Sequence, residues 1–193
     1  MKVTMKFYYY TCDADHYGFL RFTEAYTHES GFPVSDQFDR GKSISSSWQP
    51  VAMEVNTSQG PLGDFAVCPM GPPVLSQKAW GVLKPMIGDA VEALPVITPV
   101  GIYFALNVMD VVDCLDYGQS EMSYYPASMD GDLHRIIKCQ LNSDLIKHKD
   151  IFKIPERMTQ AIVSENFKRV SENELLNGLN FTRILYETDS YYK

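Results

Sequence analysis

A short polar stretch near the N-terminus brings together residue types that carry out chemistry in many proteins. The stretch is Cys12–His16, CDADH, and it follows the aromatic run Phe7–Tyr10. Two carboxylates two positions apart after a strand can hold Mg²⁺ and supply a nucleophile, as in D-x-D phosphatases, so Asp13 and Asp15 form a candidate enzymatic pair. The cysteine and the histidine could instead bind zinc. A third interpretation is a polar turn, because aspartate side chains bond readily to nearby backbone amides.

A second group of carboxylates lies in the middle of the chain, within the sequence MDVVDCLDYGQSE. Its acidic residues are Asp110, Asp113, Asp116 and Glu121. In a helix, the spacing of three would place Asp110 and Asp113 on one face, whereas a strand would divide them between two faces. Such a row could hydrogen-bond to Arg or Lys of a partner protein, or it could be a solvated surface without a role. These four residues are therefore candidates for partner binding.

The chain has two tryptophans, and they invite different interpretations. Trp80 stands at an apolar position of a predicted helix, so we expect it to pack against other side chains. Trp48 follows the serine run Ser45–Ser47 and precedes a proline. It is a candidate partner-binding residue if it is exposed, because tryptophan is favoured at the centres of interfaces. A core position for Trp48 is the alternative.

Other catalytic and nucleotide-binding motifs are absent from the sequence. It contains no P-loop, no G-x-G-x-x-G, no G-x-S-x-G and no H-E-x-x-H. The four histidines are far apart in the sequence, and no local motif pairs a nucleophile with a base. We therefore expect a protein that is not an enzyme and that needs no cofactor and no metal ion.

The charge of the chain limits the partners it can bind. Asp and Glu outnumber Lys and Arg by 24 to 17, which gives a formal net charge of −7. Nucleic-acid binding normally requires a basic stripe that neutralises phosphates, and the basic residues here are scattered. The acidic balance suits either simple solubility or attraction to a basic protein partner. We expect no nucleic-acid partner.

The cysteines and the apolar runs indicate a compartment. The four cysteines stand far apart and form no C-x-x-C pair, which is typical of idle thiols in a reducing environment. The apolar run at the N-terminus is too short for a signal peptide, and no apolar stretch reaches the roughly 18 residues that a membrane span requires. The sequence therefore predicts a cytoplasmic protein with no membrane partner.

Two segments of the chain follow the same order of local signals. In the first, Val74–Leu75 is an apolar run, Ser76 can cap a helix over Gln77–Lys84, Pro85 stops that helix, and an extended segment follows. In the second, the apolar run Ala161–Val163 precedes Ser164, which can cap a helix. A capping-box pattern at Ser171–Glu174 would restart that helix. Asn177-Gly178 would stop it before the strand Leu179–Leu185. The two strand–helix–strand units, as we call them, are either a degenerate repeat or a coincidence.

Strands outnumber helices in the rest of the chain. We predict strands over Met1–Thr11, Trp48–Asn56, Asp64–Cys68, Gly101–Leu115 (as one or two strands), Leu133–Leu141 and Asp150–Ile154; a short strand or helix over Phe19–Tyr26; a loop-rich region over Glu29–Ser47; and a polar loop over Gln119–Asp132. Helices interrupt the strands only twice, which favours an α+β fold with a mostly antiparallel or mixed sheet and a few short helices. The length suits a single domain over residues 1–193, with an N-terminal lobe over 1–100 and a C-terminal lobe over 101–193 as a subdivision.

An ordered series of short stretches resembles a known family. The stretches are Trp48 with the strand after it, Asp64-Phe65, PVLSQKAWGVL (Pro73–Leu83), VEALPV (Val91–Val96), YFALNVMDVVDCLDYGQSE (Tyr103–Glu121), IFKIP, IVSENFK and LNGLNF. In order and spacing they are similar to the DUF sixteen-twenty-nine family, also classed as the eleventh family of polymorphic-toxin immunity proteins. The resemblance covers residues 45 to 185, and the first 45 residues carry little of the pattern.

The resemblance implies a role and a partner. Immunity proteins of this kind are encoded beside a toxin delivered between bacterial cells, and they bind that toxin in the cytoplasm of the producer or its kin. The implied function is neutralisation of a cognate protein toxin by stoichiometric occlusion, with no catalytic residues. Two alternatives remain: an interaction or scaffold module of a phage or secretion system, and the Mg²⁺-dependent phosphatase that Asp13 and Asp15 would serve.

Overall fold

The computed structural model of the chain describes residues 6–22, 34–69, 71–126, 131 and 133–183. In these ranges the chain forms short strands and a few helices: β1 (Phe7–Cys12), β2 (Phe19–Phe22), a 3-10 helix (Val34–Arg40), β3 (Val51–Asn56), β4 (Phe65–Ala66), β5 (Val74–Ser76), α1 (Gln77–Ile87), β6 (Val91–Thr98), β7 (Gly101–Val108), β8 (Glu121–Tyr124), β9 (Leu133–Lys138), α2 (Ser143–Ile146), β10 (Ile151–Ile154), β11 (Arg157–Ser164), α3 (Glu165–Asn173) and β12 (Leu179–Arg183). Parts of the predicted segments Met1–Thr11, Phe19–Tyr26, Glu29–Ser47 and Leu179–Leu185 lie outside the described residues.

The strands form three sheets. A six-stranded sheet has the order β2-β3-β6-β7-β5-β4, a four-stranded sheet has the order β10-β11-β1-β12, and β8 and β9 form a two-stranded sheet. Every pair is antiparallel except β3 with β6, which is parallel. The prediction of an α+β fold with a mostly antiparallel, mixed sheet and a few short helices is confirmed.

Both predicted strand–helix–strand units are present. In the first, β5 leads through α1 to β6, and β7 lies between the two strands and pairs antiparallel with each. In the second, β11 leads through α3 to β12, and β1 lies between them in the same way. Each helix begins after the predicted serine, because Ser76 Oγ accepts a hydrogen bond from Ala79 N at 3.1 Å and Ser164 Oγ accepts one from Phe167 N at 3.0 Å.

Side chains from both large sheets meet in one core. Tyr8, Ile151 and Phe167, from the four-stranded sheet and α3, share a buried cluster with Phe65 and Leu83, from the six-stranded sheet and α1. Strand β1 alternates as a strand buried on both faces requires: Tyr8 and Tyr10 point into this shared core, and Phe7 and Tyr9 point to the opposite face. The packing therefore joins the two units through a shared core.

The opposite face of the four-stranded sheet covers a second core. Phe7 packs edge to face on Phe152 with ring centroids 5.7 Å apart, and Ile162 lies beside them. The thiols of Cys114 and Cys139, from segments that flank the two-stranded sheet, are buried in the same cluster. This second core fixes the position of the acidic central segment, because that segment forms part of its cover.

The predicted end of α1 at Pro85 is wrong. The helix continues through this proline to Ile87 and ends at Gly88, whose amide donates to Lys84 O at 2.9 Å. Pro85 stands in the last turn, so the one amide that it removes leaves the rest of the helix bonded. Its ring is exposed to solvent, where it displaces no packed side chain.

The predicted restart and end of α3 are also wrong. The helix ends at Asn173, and Ser171 does not cap a new helix, because its buried hydroxyl donates to Phe167 O at 2.9 Å within the existing one. Leu175 takes the positive φ of 51° that follows the helix end. Gly178 lies beyond the helix end and has a φ of 98°. Its backbone passes close to the backbone of Phe65, and a Cβ at this position would lie 2.4 Å from Phe65 O.

Two further elements differ from the prediction. The polar region Gln119–Asp132 contains β8, which pairs with β9 despite its polar composition. The short helix α2 was not predicted, and it begins where the Asn142 side chain accepts a hydrogen bond from Asp144 N. Neither segment has a clear apolar periodicity. Pairing with β9 defines β8, and the side-chain cap of Asn142 defines the start of α2.

The sheets do not divide between residues 100 and 101. Strand β7 follows that point but belongs to the six-stranded sheet, and β1 precedes it but belongs to the four-stranded sheet. The strands are therefore exchanged across the proposed boundary between the lobes 1–100 and 101–193. That the chain folds as a single domain, and that its two units arose as a repeat, both stay predictions.

Candidate partner-binding surface

The acidic segment that follows β7 is extended and not helical. Val112 N donates to Lys153 O and Lys153 N donates to Asp110 O, both at 2.9 Å, so the segment runs beside β10. Further along, Asp116 N donates to Gln140 O at 2.8 Å, which attaches it to the segment that follows β9. Because these backbone groups bond to other strands, the helical face that would have joined Asp110 and Asp113 does not form.

The first two carboxylates of this segment have different surroundings. Asp110 is half-buried and forms an ion pair with Lys149, with Oδ2 and Nζ 2.7 Å apart. Asp113 is exposed, and within the described residues no hydrogen bond or ion pair engages its carboxylate. Of the two, Asp113 is the one whose charge is available to a partner.

Asp116 organises the turn that follows. Its Oδ1 accepts hydrogen bonds from Gly118 N at 3.0 Å and from Gln119 N at 3.1 Å, and its Oδ2 accepts one from Gln119 Nε2 at 2.7 Å. This arrangement is the side-chain turn for which aspartate is favoured. Asp116 therefore stabilises the turn. The neighbouring Tyr117 lies on the outside of this turn, with 56% of its surface exposed.

The exposed Tyr117 is joined to a carboxylate that sequence reasoning did not single out. Its hydroxyl donates to Glu156 Oε1, in the turn between β10 and β11. The hydrogen bond to Glu156, together with the charges of Glu156 and Asp113, raises the pKa of Tyr117 to about 12. The second oxygen, Glu156 Oε2, is buried without a hydrogen-bond partner in the described part of the chain. The pair is therefore a fixed tyrosine hydroxyl bonded to a carboxylate whose second oxygen is buried.

A second exposed tyrosine adds aromatic area at the same place. Tyr124, at the end of β8, is 54% exposed and lies close enough to Tyr117 to influence its pKa. We call the group formed by Asp113, Asp116, Tyr117, Tyr124 and Glu156 the acidic–tyrosine surface. It combines exposed aromatic rings, which are enriched in interfaces, with negative charges that suit a basic partner.

The other two predicted contact residues lie apart from the centre of this surface. Glu121 is exposed on β8 and stands opposite Lys138 in the register of the two-stranded sheet. Trp48 is half-buried in another core cluster, where its indole N–H donates to Pro95 O at 3.0 Å and its ring packs on Phe38 at 5.7 Å. The structure thus places Asp113 and Asp116 in the one segment that leads to Tyr117 and leaves Trp48 in a packing position.

The CDADH stretch forms a turn. Asp13 accepts hydrogen bonds from His16 Nδ1 at 2.9 Å and from Asp15 N at 3.2 Å, and the bond from His16 lowers the pKa of Asp13. Its own amide donates to Gly178 O at 2.9 Å. Among the described residues, no group of three or more His, Cys, Asp and Glu side chains is arranged to hold a metal ion. Of the three interpretations, the geometry favours the polar turn.

The arrangement of these residues is an exposed surface of charged and aromatic side chains. The model of the immunity protein family Imm11 matches residues 95–185, a range that contains all five residues of the acidic–tyrosine surface. The match agrees with the resemblance in sequence order and confirms it over this range. It supports an immunity-protein role and suggests that the protein is not an enzyme.

Two further findings complete the comparison. A search of curated proteins gives no match to the chain. Among the residues that the structure describes, no helix is both long and apolar enough to cross a membrane.

Proposed function

We propose that this protein neutralises a cognate bacterial toxin by binding it stoichiometrically in the cytoplasm. The observation that carries the proposal is the Imm11 match over residues 95–185, because it covers the segment in which the exposed acidic and aromatic side chains cluster. The acidic–tyrosine surface is the proposed contact. A standard interface buries about 800 Å² on each partner, so it would extend beyond these five residues.

The chemistry of the surface supports a basic partner. Asp113 and Glu156 supply negative charge beside two exposed tyrosine rings, and the whole chain has a net charge of −7. Opposite charge on the toxin would accelerate encounter, and burial of a tyrosine ring would then slow dissociation. Glu121, at the edge of the same region, would contribute to attraction more than to close contact.

The decisive test pairs this protein with its neighbour. The probe is the C-terminal domain of the protein encoded immediately upstream, produced with and without this chain. We expect that domain to stop growth alone, and we expect co-expression to restore growth through a one-to-one complex. Failure of this chain both to bind the domain and to protect against it would overturn the proposed function.

Two variants then test the proposed surface. Asp113→Lys is expected to lower the association rate at low salt by about tenfold, and Tyr117→Ala to weaken affinity at least about tenfold. The matched control is Asp89→Lys, at an exposed position between α1 and β6, because it changes the net charge by the same amount. If Asp89→Lys slows association as much as Asp113→Lys does, net charge and not this surface explains the effect.

A further inference from the structure

Strands β1 and β11 are neighbours in their sheet but pair along only part of their length. Their register ends where Tyr9 stands opposite Ile162. Strand β1 continues to Cys12 and remains paired with β12 over that length. Among the described residues, no other strand pairs with β1 on the side of β11. The end of β1 therefore has one paired edge and one open edge.

The pairing ends beside an irregularity in β11. Phe152 stands opposite Ile162 and Ile154 stands opposite Arg157, so one residue of β10 faces the four residues 158–161 of β11. Those four residues form a bulge, and they are the ones that would have continued the register with β1. Bulges bend a strand and are common beside functional sites.

A cavity of about 240 Å³ lies in the opening between the two strands. One wall is formed by residues 10–12 of β1 and the facing wall by residues 159–161 of β11, and the connection between β4 and β5 completes the lining. None of the described lining residues carries a formal charge. We call this opening the β1–β11 seam.

Backbone groups of β1 are directed into the seam. Lys6 O accepts a hydrogen bond from Glu165 N at 3.0 Å, on the side of β11, and Asp13 N donates to Gly178 O at 2.9 Å, on the side of β12. Backbone groups alternate between the two sides along an antiparallel strand, so even-numbered residues of β1 face β11 and odd-numbered residues face β12. The N–H and the C=O of Cys12 therefore face the seam, beyond the point at which β11 pairs.

The carbonyl of Tyr10 shows how loosely the seam is closed. It faces the same side, and it accepts a hydrogen bond from the side-chain Nε2 of Gln160 at 3.5 Å. That distance is at the long limit of a hydrogen bond, and a backbone amide at about 2.9 Å would bind the oxygen more strongly. A side chain thus stands at the position where a paired strand would donate.

An open strand edge selects an extended polypeptide. Its N–H and C=O groups recur at the spacing of a strand, so a peptide lying alongside matches them through its own backbone. Burial raises the pKa of Cys12 and of Cys68 to about 12, so both thiols in the seam are uncharged at neutral pH. Because a charge is costly to bury among uncharged walls, the chemistry favours a segment with uncharged side chains.

The ends of the described sheet favour a partner over this chain as the source of that segment. Tyr8 stands opposite Arg183, the last residue of β12, and the chain enters β1 at the same end of the strand. The residues before β1 and after β12 therefore join the sheet at the end of β1 that lies away from the seam.

The seam also lies close to the acidic–tyrosine surface. Glu156, in the turn before β11, is three residues from Thr159, which lines the seam. At about 3.3 Å per residue, they are separated by at most roughly 10 Å along the chain. A partner that covers a standard interface area around Glu156 would therefore reach the seam.

We propose that the β1–β11 seam takes an extended, uncharged segment of the partner toxin as an added strand, which bonds through its backbone to Tyr10 O and to the N–H and C=O of Cys12. The inference rests on the proposed function, because the occupant belongs to the toxin. It adds main-chain recognition to the charged and aromatic contacts of the acidic–tyrosine surface.

The first test follows single backbone amides by hydrogen–deuterium exchange and NMR. In the free protein, the Cys12 amide should exchange at least about tenfold faster than the bonded Asp13 amide, after correction for intrinsic rates. A saturating amount of the upstream-encoded toxin domain should slow exchange at Cys12 at least about tenfold and change the rate at Asp13 much less. A Cys12 amide already protected in the free protein would show that this chain fills its own seam, and would overturn the proposal.

The second test fills the seam with a larger side chain. Thr159 is exposed, so Thr159→Trp should leave the unfolding midpoint unchanged while affinity for the toxin domain falls at least about tenfold. The matched control is Val100→Trp, because Val100 is also β-branched and is 62% exposed in the turn between β6 and β7. The control should change neither quantity. Equal affinities for wild type and Thr159→Trp would overturn the added strand, and if Thr159→Trp fails to fold, the exchange measurement decides.

The outcomes separate the two proposals. If wild type binds the toxin domain but exchange at Cys12 is the same as in the free protein, the added strand is wrong and the proposed function stands. If wild type neither binds the domain nor protects against it, the proposed function fails and the added strand fails with it. Slower exchange at Cys12 together with weaker binding by Thr159→Trp would support both.

Discussion

The two strand–helix–strand units begin their helices with the same contact. In the first, Ser76 Oγ donates to Asp64 Oδ1 at 2.8 Å and Ser76 N donates to Asp64 O at 2.8 Å. In the second, Ser164 Oγ donates to Asp150 Oδ1 and Ser164 N donates to Asp150 O at 3.1 Å. We call each pair a serine–aspartate latch. In both units, the aspartate precedes an edge strand that pairs with the strand entering the helix.

The latches differ in what else the aspartate holds. Asp64 accepts further hydrogen bonds from Lys78 Nζ and from Asn177 N, each at 3.3 Å, and Asn177 belongs to the second unit. Asp150 accepts one from Asn166 Nδ2 at 3.3 Å, within its own unit. The first latch therefore connects the two units, whereas the second stabilises only the start of α3. The same serine–aspartate contact therefore links two units in one case and stabilises a single helix start in the other.

The largest expected effect tests whether the two units unfold together. Leu83→Ala in α1 and Phe167→Ala in α3 each empty space in the shared core, and each should lower the free energy of unfolding by about 3–5 kcal/mol. Because the core is common to both units, Phe167→Ala should shift the transition followed by tryptophan fluorescence, which reports on Trp48 and Trp80, both outside the second unit. The measurement is urea unfolding followed by fluorescence and by circular dichroism.

Separate transitions would change the comparison. If Phe167→Ala shifts the circular dichroism curve but leaves the tryptophan fluorescence curve in place, the units unfold independently and the single-domain prediction fails. Ile137→Ala, at an exposed position of β9, is the control, and it should change the free energy by less than about 0.5 kcal/mol.

The two latches should differ in strength when each aspartate is removed. Asp64→Ala breaks contacts within and between the units and should cost about 2–3 kcal/mol, whereas Asp150→Ala should cost about 1–2 kcal/mol. Denaturant titration of both variants measures the difference. Equal costs would show that the additional bonds of Asp64 contribute little, and a larger cost for Asp150→Ala would reverse the comparison.

A carboxylate found only in the first unit gives it a distinct acid response. Burial opposes ionisation of Glu92, but hydrogen bonds from Ser43, Ser45, Ile44 N and Asn107 outweigh it and lower the pKa from 4.5 to about 2. A lowered folded-state pKa contributes stability that is fully present above about 4.5 and is lost as the pH falls towards about 2.

The substitution Glu92→Gln isolates this contribution. At pH 7 it should lower the free energy of unfolding by about 1 kcal/mol, and the difference from wild type should shrink as the pH falls through that window. Thermal unfolding at several pH values provides the measurement. A difference that stays constant from pH 7 to below the window would contradict the assignment.

The smallest effect concerns the proline in α1, which has no counterpart in α3. Pro85→Ala restores one backbone amide in the last turn, and no packing is lost because the ring is exposed. We expect a gain of up to about 1 kcal/mol, limited by the greater freedom of alanine in the unfolded chain. The measurement is the unfolding midpoint, and a lower midpoint would show that Pro85 stabilises the fold instead.

Local signals in the sequence were sufficient for the helix starts but not for the helix ends. Ser76 and Ser164 each cap a helix through bonds to residues three positions away, so a short pattern contains the whole interaction. The ends depended on context: Pro85 is tolerated near the end of α1, and Gly178 is required by the approach of Phe65. Neither condition can be read from neighbouring residues.

The proposed surface was only partly accessible from sequence. Asp113 and Asp116 were named because carboxylates recur in one segment. Tyr117 and Glu156 were missed because they are 39 positions apart and meet only through the pairing of that segment with β10.

The position of β1 in its sheet has a consequence for synthesis of the protein. In the first unit the inserted strand follows directly on the strand–helix–strand segment, but in the second it precedes that segment, and the bond from Tyr8 to Glu165 spans 157 positions. At a ribosomal rate of roughly 5–20 residues per second, the aromatic strand waits on the order of 10–30 seconds for its partners. During that interval β1 has two unpaired, aromatic strand edges. We therefore expect chaperones to bind the nascent chain early in translation.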